Sequence, residues 1–432
     1  VDRRSIRHDN PEKEEPLEPF RHKSKELFCE DIPVARIAAE VRTPFYLYSQ
    51  TCLEHNYTSF DEAFAGVPHL TCYAVKANSN LAVLSLFRRL GAGFDVVSGG
   101  ELARAVTAGA HPAKVIFSGV GKTPDEIDLA LRQGILQFNV ESAAELRMVE
   151  ARALSHGTVA PIGLRINPDV DAGTHAYLST GARNHKFGVP IETARKFFRR
   201  VQESRHLRLT GISCHIGSQI TSLAPFLAAV ERLGNIYRTL RAEIRSLRHF
   251  DIGGGLGIRY HEEAPPAPEE YARAVIAAMK DLDCILVLEP GRILAGNAGI
   301  LVASVLLTKQ AGSRTFVILD AGMNDLMRPS LYGSYHRIVP VMLRRRVSRR
   351  ADVVGPICES GDVIARDRIM TVVKENELVA VMSAGAYGFA LSSNYNARPR
   401  AAEVFVKGDR FKIIRKRETY RDLIRGESSR PL

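Results

Sequence analysis

With 432 residues, 45% of them hydrophobic and 25% charged, the chain holds enough apolar material for two domains or for one large barrel with an addition. Its 59 basic and 48 acidic residues give a net charge of +11. The arginines are scattered (Arg88-Arg89, Arg199-Arg200, Arg344-Arg345-Arg346, Arg349-Arg350) without aromatic interleaving, which argues against a nucleic-acid partner and for solubility plus attraction of small anions, most of the runs reading as a solvated basic face.

The six cysteines form no CxxC pair, which argues against a disulfide framework or a zinc site and for a reducing, cytoplasmic setting. No metal site is expected. No apolar run reaches membrane-spanning length, so no membrane association is expected.

Residues 1–17 are charged, proline-punctuated and poor in apolar side chains, and read as a disordered tail. Residues 18–43, with Leu27-Phe28-Cys29 and Ile32-Pro33-Val34, read as a short N-terminal segment that packs with a later β domain. From Pro44 onward, apolar runs alternate with amphipathic stretches. The runs Thr71–Val75, Gly93–Val97, Lys114–Ser118, Gln137–Val140, Ile162–Ile166, Gly211–His215, Phe250–Ile252 and Cys284–Leu288 predict strands. Helical periodicity covers Leu81–Leu90, Gly100–Ala108, Pro124–Gln133, Ala143–Leu154, Ile191–Ser204 and Leu223–Ile244.

Such alternation predicts parallel βα units, and eight of them suggest a (β/α)8 TIM barrel over residues 44–299, with an open doubly wound sheet as the alternative. Reactive residue types cluster at the strand ends: Lys76, Asp95 and Ser98, Ser118, Glu141, Arg165 and Asn167, His215 and Ser218, Gly253–Gly255, and Glu289 with Arg292. A barrel gathers such residues on one face, whereas an open sheet concentrates ligands at one switch point, so the order favours the barrel. From residue 300 to 432 the pattern turns to strands with few helices: Ile300–Thr308, Arg314–Leu319, Val339–Leu343, Ala351–Val354, Glu377–Met382, Glu403–Val406 and Phe411–Arg415 predict an all-β second domain, a barrel or sandwich.

The lysine of Tyr73-Ala74-Val75-Lys76-Ala77-Asn78 ends an apolar strand. Desolvation eases its titration and suits it to imine chemistry, while pairing with a carboxylate such as Asp95 is the simpler reading. Asp251-Ile252-Gly253-Gly254-Gly255-Leu256-Gly257 can cradle an anion on backbone N–H groups or be a tight turn. It lacks the context of a dinucleotide fingerprint. Ser218 and Gly291, on neighbouring strand ends, could add donors to that anion.

Glu289-Pro290-Gly291-Arg292 offers a carboxylate for a pyridinium nitrogen and a guanidinium for an anion, or else an internal ion pair. His215 is a core histidine or a flat stacking partner. In the β domain, Cys358-Glu359-Ser360-Gly361-Asp362 sets a thiol beside acids, able to move protons or simply buried. Gly385-Ala386-Tyr387-Gly388 and Met327-Arg328-Pro329-Ser330-Leu331-Tyr332 add tyrosines and an arginine. A lysine, an anion nest, a ring-nitrogen carboxylate and a stacking group together are what pyridoxal 5'-phosphate needs.

From about Pro19 onward the chain resembles the fold-type III pyridoxal-phosphate decarboxylases. The likeness rests on Tyr73–Asn78, Phe94–Leu102, Lys186-Phe187-Gly188, His215–Gln219, Asp251–Gly257, Glu289–Arg292, Cys358–Asp362, Gly385–Gly388, Asn394-Tyr395-Asn396 and Arg415–Tyr420. It implies that Lys76 holds the cofactor covalently, His215 stacks on its ring and Glu289 meets its nitrogen. Ser218, Gly254, Gly255, Gly291 and Tyr387 are then expected around the phosphate. Arg292, Arg328, Tyr332 and Tyr387 are expected to contact the substrate. Cys358 and Glu359 are expected to cross a homodimer interface into the partner's site, with Cys358 or Lys76 as the candidate proton donor. The substrate implied is meso-2,6-diaminopimelate, whose distal amino-acid head suits arginines and an acid. Ornithine, with a bare distal ammonium, would need an acid alone. The basic surface and the tail are not family features.

Overall fold

The computed structural model describes residues 17–171 and 186–430; the tail expected over 1–17 lies outside them except for Leu17. In the alternating region the strands are buried toward their C-terminal ends, as strands covered by helices outside and by side chains inside must be. These strands are β1 (His69–Ala74), β2 (Gly93–Val96), β3 (Val115–Phe117), β4 (Gln137–Val140), β5 (Ala160–Asn167), β6 (Leu207–Ser213), β7 (His249–Asp251) and β8 (Ile285–Leu288). Each pairs in parallel with the next. The register Leu286↔His69, Val287↔Leu70 and Leu288↔Thr71 joins β8 to β1, closing an eight-stranded barrel.

The helices between strands begin where local chemistry starts them. Thr123 and Glu126 form a capping box ahead of Pro124–Gln133, and Gly134 ends that helix in the left-handed conformation. Asn80, Ser98 and Ser142 accept a backbone N–H at the starts of Leu81–Arg89, Gly99–Thr107 and Ala143–Ser155.

The barrel interior is partly polar. Gln137 Nε2 donates to Asn139 Oδ1 at 2.9 Å, and His249 Nδ1 lies 3.1 Å from Gln137 Oε1. Room for these amides comes from two glycines on neighbouring strands. A Cβ on Gly163 would stand 2.4 Å from Asn139 Oδ1, and one on Gly211 2.7 Å from Gln137 Oε1. Cys72, Ile116 and Val287 form a separate small apolar cluster.

The second sheet takes in the strand Phe45–Ser49, which pairs antiparallel with Gly299–Ala311 and parallel with Ala402–Lys407. Residue 44 therefore does not open the barrel. Phe45, Tyr46, Leu47 and Tyr48 are buried on both faces, a pattern that suits either sheet, and the partner strands arrive only much later in the chain. Ser49 then caps the helix Gln50–Glu62, which lies on the barrel through Tyr57 against Phe87 and Phe60 against Tyr271. The remaining strands are Arg314–Leu319, Ile338–Pro340, Ser348–Val354, Val363–Thr371, Leu378–Val381 and Arg410–Arg415. Val363–Thr371 was not expected, because Arg366-Asp367-Arg368 interrupts its apolar pattern; the ladder to Ser348–Val354 holds it.

A small sheet of Phe20–Lys23, Glu26–Cys29 and Ile32–Pro33 shares an apolar core with Phe45, Leu47, Ile300, Val302, Val404 and Val406. The Leu27 N–H donates to Val341 O at 2.7 Å. Between barrel and sheet, Glu403 is fully buried and accepts from Tyr48 Oη at 2.9 Å, from Asn80 Nδ2 at 2.8 Å and from Arg415 Nε. Among the described residues every cysteine is free, no helix is long and apolar enough to cross a membrane, and no cluster of His, Cys, Asp and Glu could hold a metal ion.

Candidate active site

β1 stops one residue earlier than its sequence suggests. Val75–Ala77 forms a single 3-10 turn that carries Lys76 out of the strand direction. The turn is held on both sides: Tyr73 Oη donates to Asn78 O at 3.1 Å, the Tyr387 N–H donates to Ala77 O at 2.7 Å, and Asn78 Nδ2 donates to Gly385 O at 3.3 Å. Tyr387 itself adopts φ +56°, a left-handed conformation rare for a bulky side chain and a mark of a position set by its surroundings. The β domain thus holds the lysine turn from above.

Lys76 Nζ donates to Asp95 Oδ2, so the simpler reading of this lysine also holds. Burial works against the ammonium, but the carboxylate of Asp95 outweighs it, and the lysine pKa lies above its ordinary value. The easier titration expected from desolvation is therefore reversed by the neighbouring carboxylate.

Beneath the lysine is a connected polar floor. Asn139 Nδ2 donates to Asp251 Oδ2 and to Ser118 Oγ, each at 3.1 Å, and the Ser118 hydroxyl reaches Glu289 Oε1 at 3.5 Å. Asp251 Oδ1 accepts the Gly253 N–H at 2.8 Å, and Glu289 and Asp251 share a hydrogen bond. Burial, then Asp251 and Asp95, drive the Glu289 carboxyl well above the usual carboxylate range, so the Asp251–Glu289 pair shares a proton.

The glycine turn follows β7, with Gly253 at φ +69° and Gly255 at φ +114°. It lies tight against neighbouring strand ends: a Cβ on Gly254 would meet Glu289 O at 2.1 Å, and one on Gly291 would meet Ala74 Cβ at 3.0 Å. The Gly254 N–H donates to His215 Nδ1 at 3.3 Å, so the ring proton sits on Nε2. Burial, with Arg165 and Lys76 nearby, pushes the His215 pKa well below its ordinary value and keeps the ring neutral. Arg165 is in turn held by Glu141 at 3.0 Å.

A second group lies at the edge of the β domain. Arg292 donates through Nη2 to Ser218 Oγ at 2.8 Å and through Nη1 to Tyr260 Oη at 2.7 Å. Arg328 opens the short helix Arg328–Tyr332, its guanidinium carbon 4.6 Å from the Tyr260 ring centroid. Only 5% of Arg292 and 2% of Arg328 is exposed, and among the described residues neither has a carboxylate partner. Among the described residues, the buried Arg328 Nε has no hydrogen-bond partner. Two desolvated guanidinium groups without counter-charges are costly unless an anion joins them.

Cys358 and Glu359 are not part of this buried ring. Both are exposed; the Cys358 N–H donates to Asn396 Oδ1 at 2.7 Å, and Tyr395 Oη reaches Glu359 Oε2 at 3.5 Å. Tyr260 and the buried His336, which meets Arg328, were not singled out from sequence. They stand alone in unremarkable stretches, and the only available signal is an aromatic or histidine within reach of the Arg328 segment.

Residues 51–296 match the pyridoxal-binding domain of the pyridoxal-dependent decarboxylases. A diaminopimelate decarboxylase of Pseudomonas aeruginosa is 49% identical over 415 residues, which cover 96% of this chain and 100% of that protein. One of Vibrio cholerae is 48% identical over 407 residues, covering 94% of this chain and 97% of that protein. Among solved structures, diaminopimelate decarboxylase from Helicobacter pylori complexed with L-lysine is similar with a TM-score of 0.88 and 41% identity, covering 90% of this chain and 98% of that one.

The acid floor makes a pH-dependent prediction. A carboxyl raised above its unfolded value contributes stability that is complete below that value and is lost as pH rises through the folded pKa. Burial above all pushes Asp251 up from 3.8 to about 6, so its contribution should fall across that interval. Ligand-free Asp251→Asn, which keeps an acceptor for Gly253, should lose less stability than the wild type between about pH 4 and 7 in urea unfolding. Parallel losses in the two proteins would contradict this assignment.

Proposed function

This chain belongs to the family of pyridoxal-dependent decarboxylases, and from that premise we propose how its residues carry out the decarboxylation of meso-2,6-diaminopimelate to L-lysine and CO2, the last step of lysine biosynthesis. Its cofactor is pyridoxal 5'-phosphate. The donor set fits that group: an amine among acids, a neutral flat ring, a glycine turn at closely approaching strand ends, and guanidinium groups without counter-charge. When bound, it supplies the electron sink that stabilises the pair left behind by CO2.

Lys76 would hold the cofactor covalently through Nζ and release it to substrate. Glu289, sharing a proton with the buried Asp251, offers its carboxyl to a ring nitrogen. The neutral His215 offers a flat face without adding charge beside Lys76. Ser218, Gly254, Gly255, Gly291 and Tyr387 are the proposed phosphate ligands, with Arg292 bridging from Ser218 toward the substrate.

The observation that carries the substrate assignment is the pair Arg292 and Arg328, buried around Tyr260 with no acid beside them. A distal carboxylate satisfies them; the bare ammonium of ornithine does not. Tyr332 and Tyr387 would complete that end of the pocket. Cys358 and Glu359, exposed in one chain, fit a homodimer in which they enter the partner's site. There Glu359 would take the distal ammonium, and Cys358 or Lys76 would return a proton to the α-carbon. The barrel then serves the cofactor, and residues 300–432 with the N-terminal strands close its mouth. Neither nucleic acid nor membrane enters this reading, and the cytoplasm suits its free thiols.

Arg328→Met should raise the KM for meso-diaminopimelate by about a hundredfold, as truncating one member of a buried charge pair does, while leaving the bound-cofactor absorbance in place. An unchanged KM would remove Arg328 from substrate binding. Mixing inactive Lys76→Ala and Cys358→Ala chains should restore partial turnover, because each mixed dimer holds one site with both residues. Verified heterodimers that stay inactive would mean that each chain completes its own site.

A further inference from the structure

We propose that His336 is a positioning residue for the substrate's distal carboxylate, acting through Arg328. This rests on the reading that Arg328 binds that carboxylate. His336 is fully buried and precedes the strand Ile338–Pro340, whose pairing Ile338↔Val381 brings Met382 alongside. The Met382 N–H donates to Arg337 O at 2.8 Å, so the backbone around the histidine is fixed.

The ring has one arrangement that satisfies both of its nitrogens. Nδ1 lies 2.8 Å from Met382 O, which can only accept, so Nδ1 carries the proton. Nε2 therefore presents a lone pair, and Arg328 Nη1, which can only donate, sits 3.0 Å away. Burial first, then Arg328, lowers the ring's pKa to about 3 and keeps it neutral. The rest of Arg328 is held against Tyr260, whose ring the histidine meets edge-on at a centroid distance of 5.4 Å. Arg328 Nε is left without a partner among the described residues.

The residue type matters. A buried carboxylate in the place of His336 would also orient Arg328, but it would cancel the charge that a carboxylate ligand needs. A neutral acceptor whose other nitrogen is tied to the backbone orients the guanidinium and leaves its charge for the ligand. His336 thereby sharpens the preference for a substrate with a distal carboxylate.

The test compares holoenzyme carrying His336→Leu, His336→Gln, His336→Glu or Arg328→Met. It reads KM and kcat for meso-diaminopimelate, and L-lysine binding by calorimetry. His336→Leu should raise KM and weaken lysine binding by about tenfold, with kcat changed less than about twofold. His336→Gln, whose amide can accept from Arg328 and donate to Met382, should stay within about threefold of the wild type. His336→Glu, which keeps an acceptor but adds charge, should weaken lysine binding by at least as much as leucine does.

Should the leucine variant fail to fold, the contrast between Gln and Glu decides, and equal lysine affinity in those two overturns the proposal. A large KM effect in Arg328→Met with none in His336→Leu also overturns it while leaving the role of Arg328 intact. No effect in Arg328→Met removes the underlying reading and the proposal with it.

Discussion

The Lys76–Asp95 pair, set over the buried acids Asp251 and Glu289, is the constraint on which the rest of the site depends. The Lys76 ammonium is only partly buried, and it keeps its charge through its pairing with the fully buried Asp95. The acids are in turn tolerable because they share hydrogen bonds and at least one proton among Asp251, Glu289, Ser118 and Asn139. Charge at this site is therefore a property of the set.

The barrel alone does not hold this arrangement. The lysine turn is pinned by Tyr387 and Gly385 of the β domain, and Glu403 joins Asn80, Tyr48 and Arg415 across the boundary. The same domain brings Arg328 and His336 to Tyr260, while the barrel brings Arg292 to it. The two groups of buried polar residues thus come from two folding layers that meet at the strand ends, where a (β/α)8 barrel gathers its functional residues.

Much of this was legible in the sequence. Lys76, His215, the glycine turn and Glu289 each follow a strand, and their chemical types converge on one cofactor. What could not be read is contact between segments distant in the chain. Asp251 and Glu289 meet because β7 and β8 are neighbours in the barrel, and nothing local marks them as a proton-sharing pair. Phe45–Ser49 has the burial pattern of a barrel strand, and only its distant partners show that it belongs to the other sheet. Tyr260 and His336 carry no motif; their contacts with the two arginines arise only in the fold.

The most direct measurement is CO2 release by the purified protein with pyridoxal phosphate, comparing meso-diaminopimelate, L-ornithine and L-arginine. Release from diaminopimelate alone, with L-lysine as the product, is the expected result. Comparable release from ornithine or arginine would leave the fold and the cofactor in place. It would contradict the account of the arginine pair as a site for a distal carboxylate.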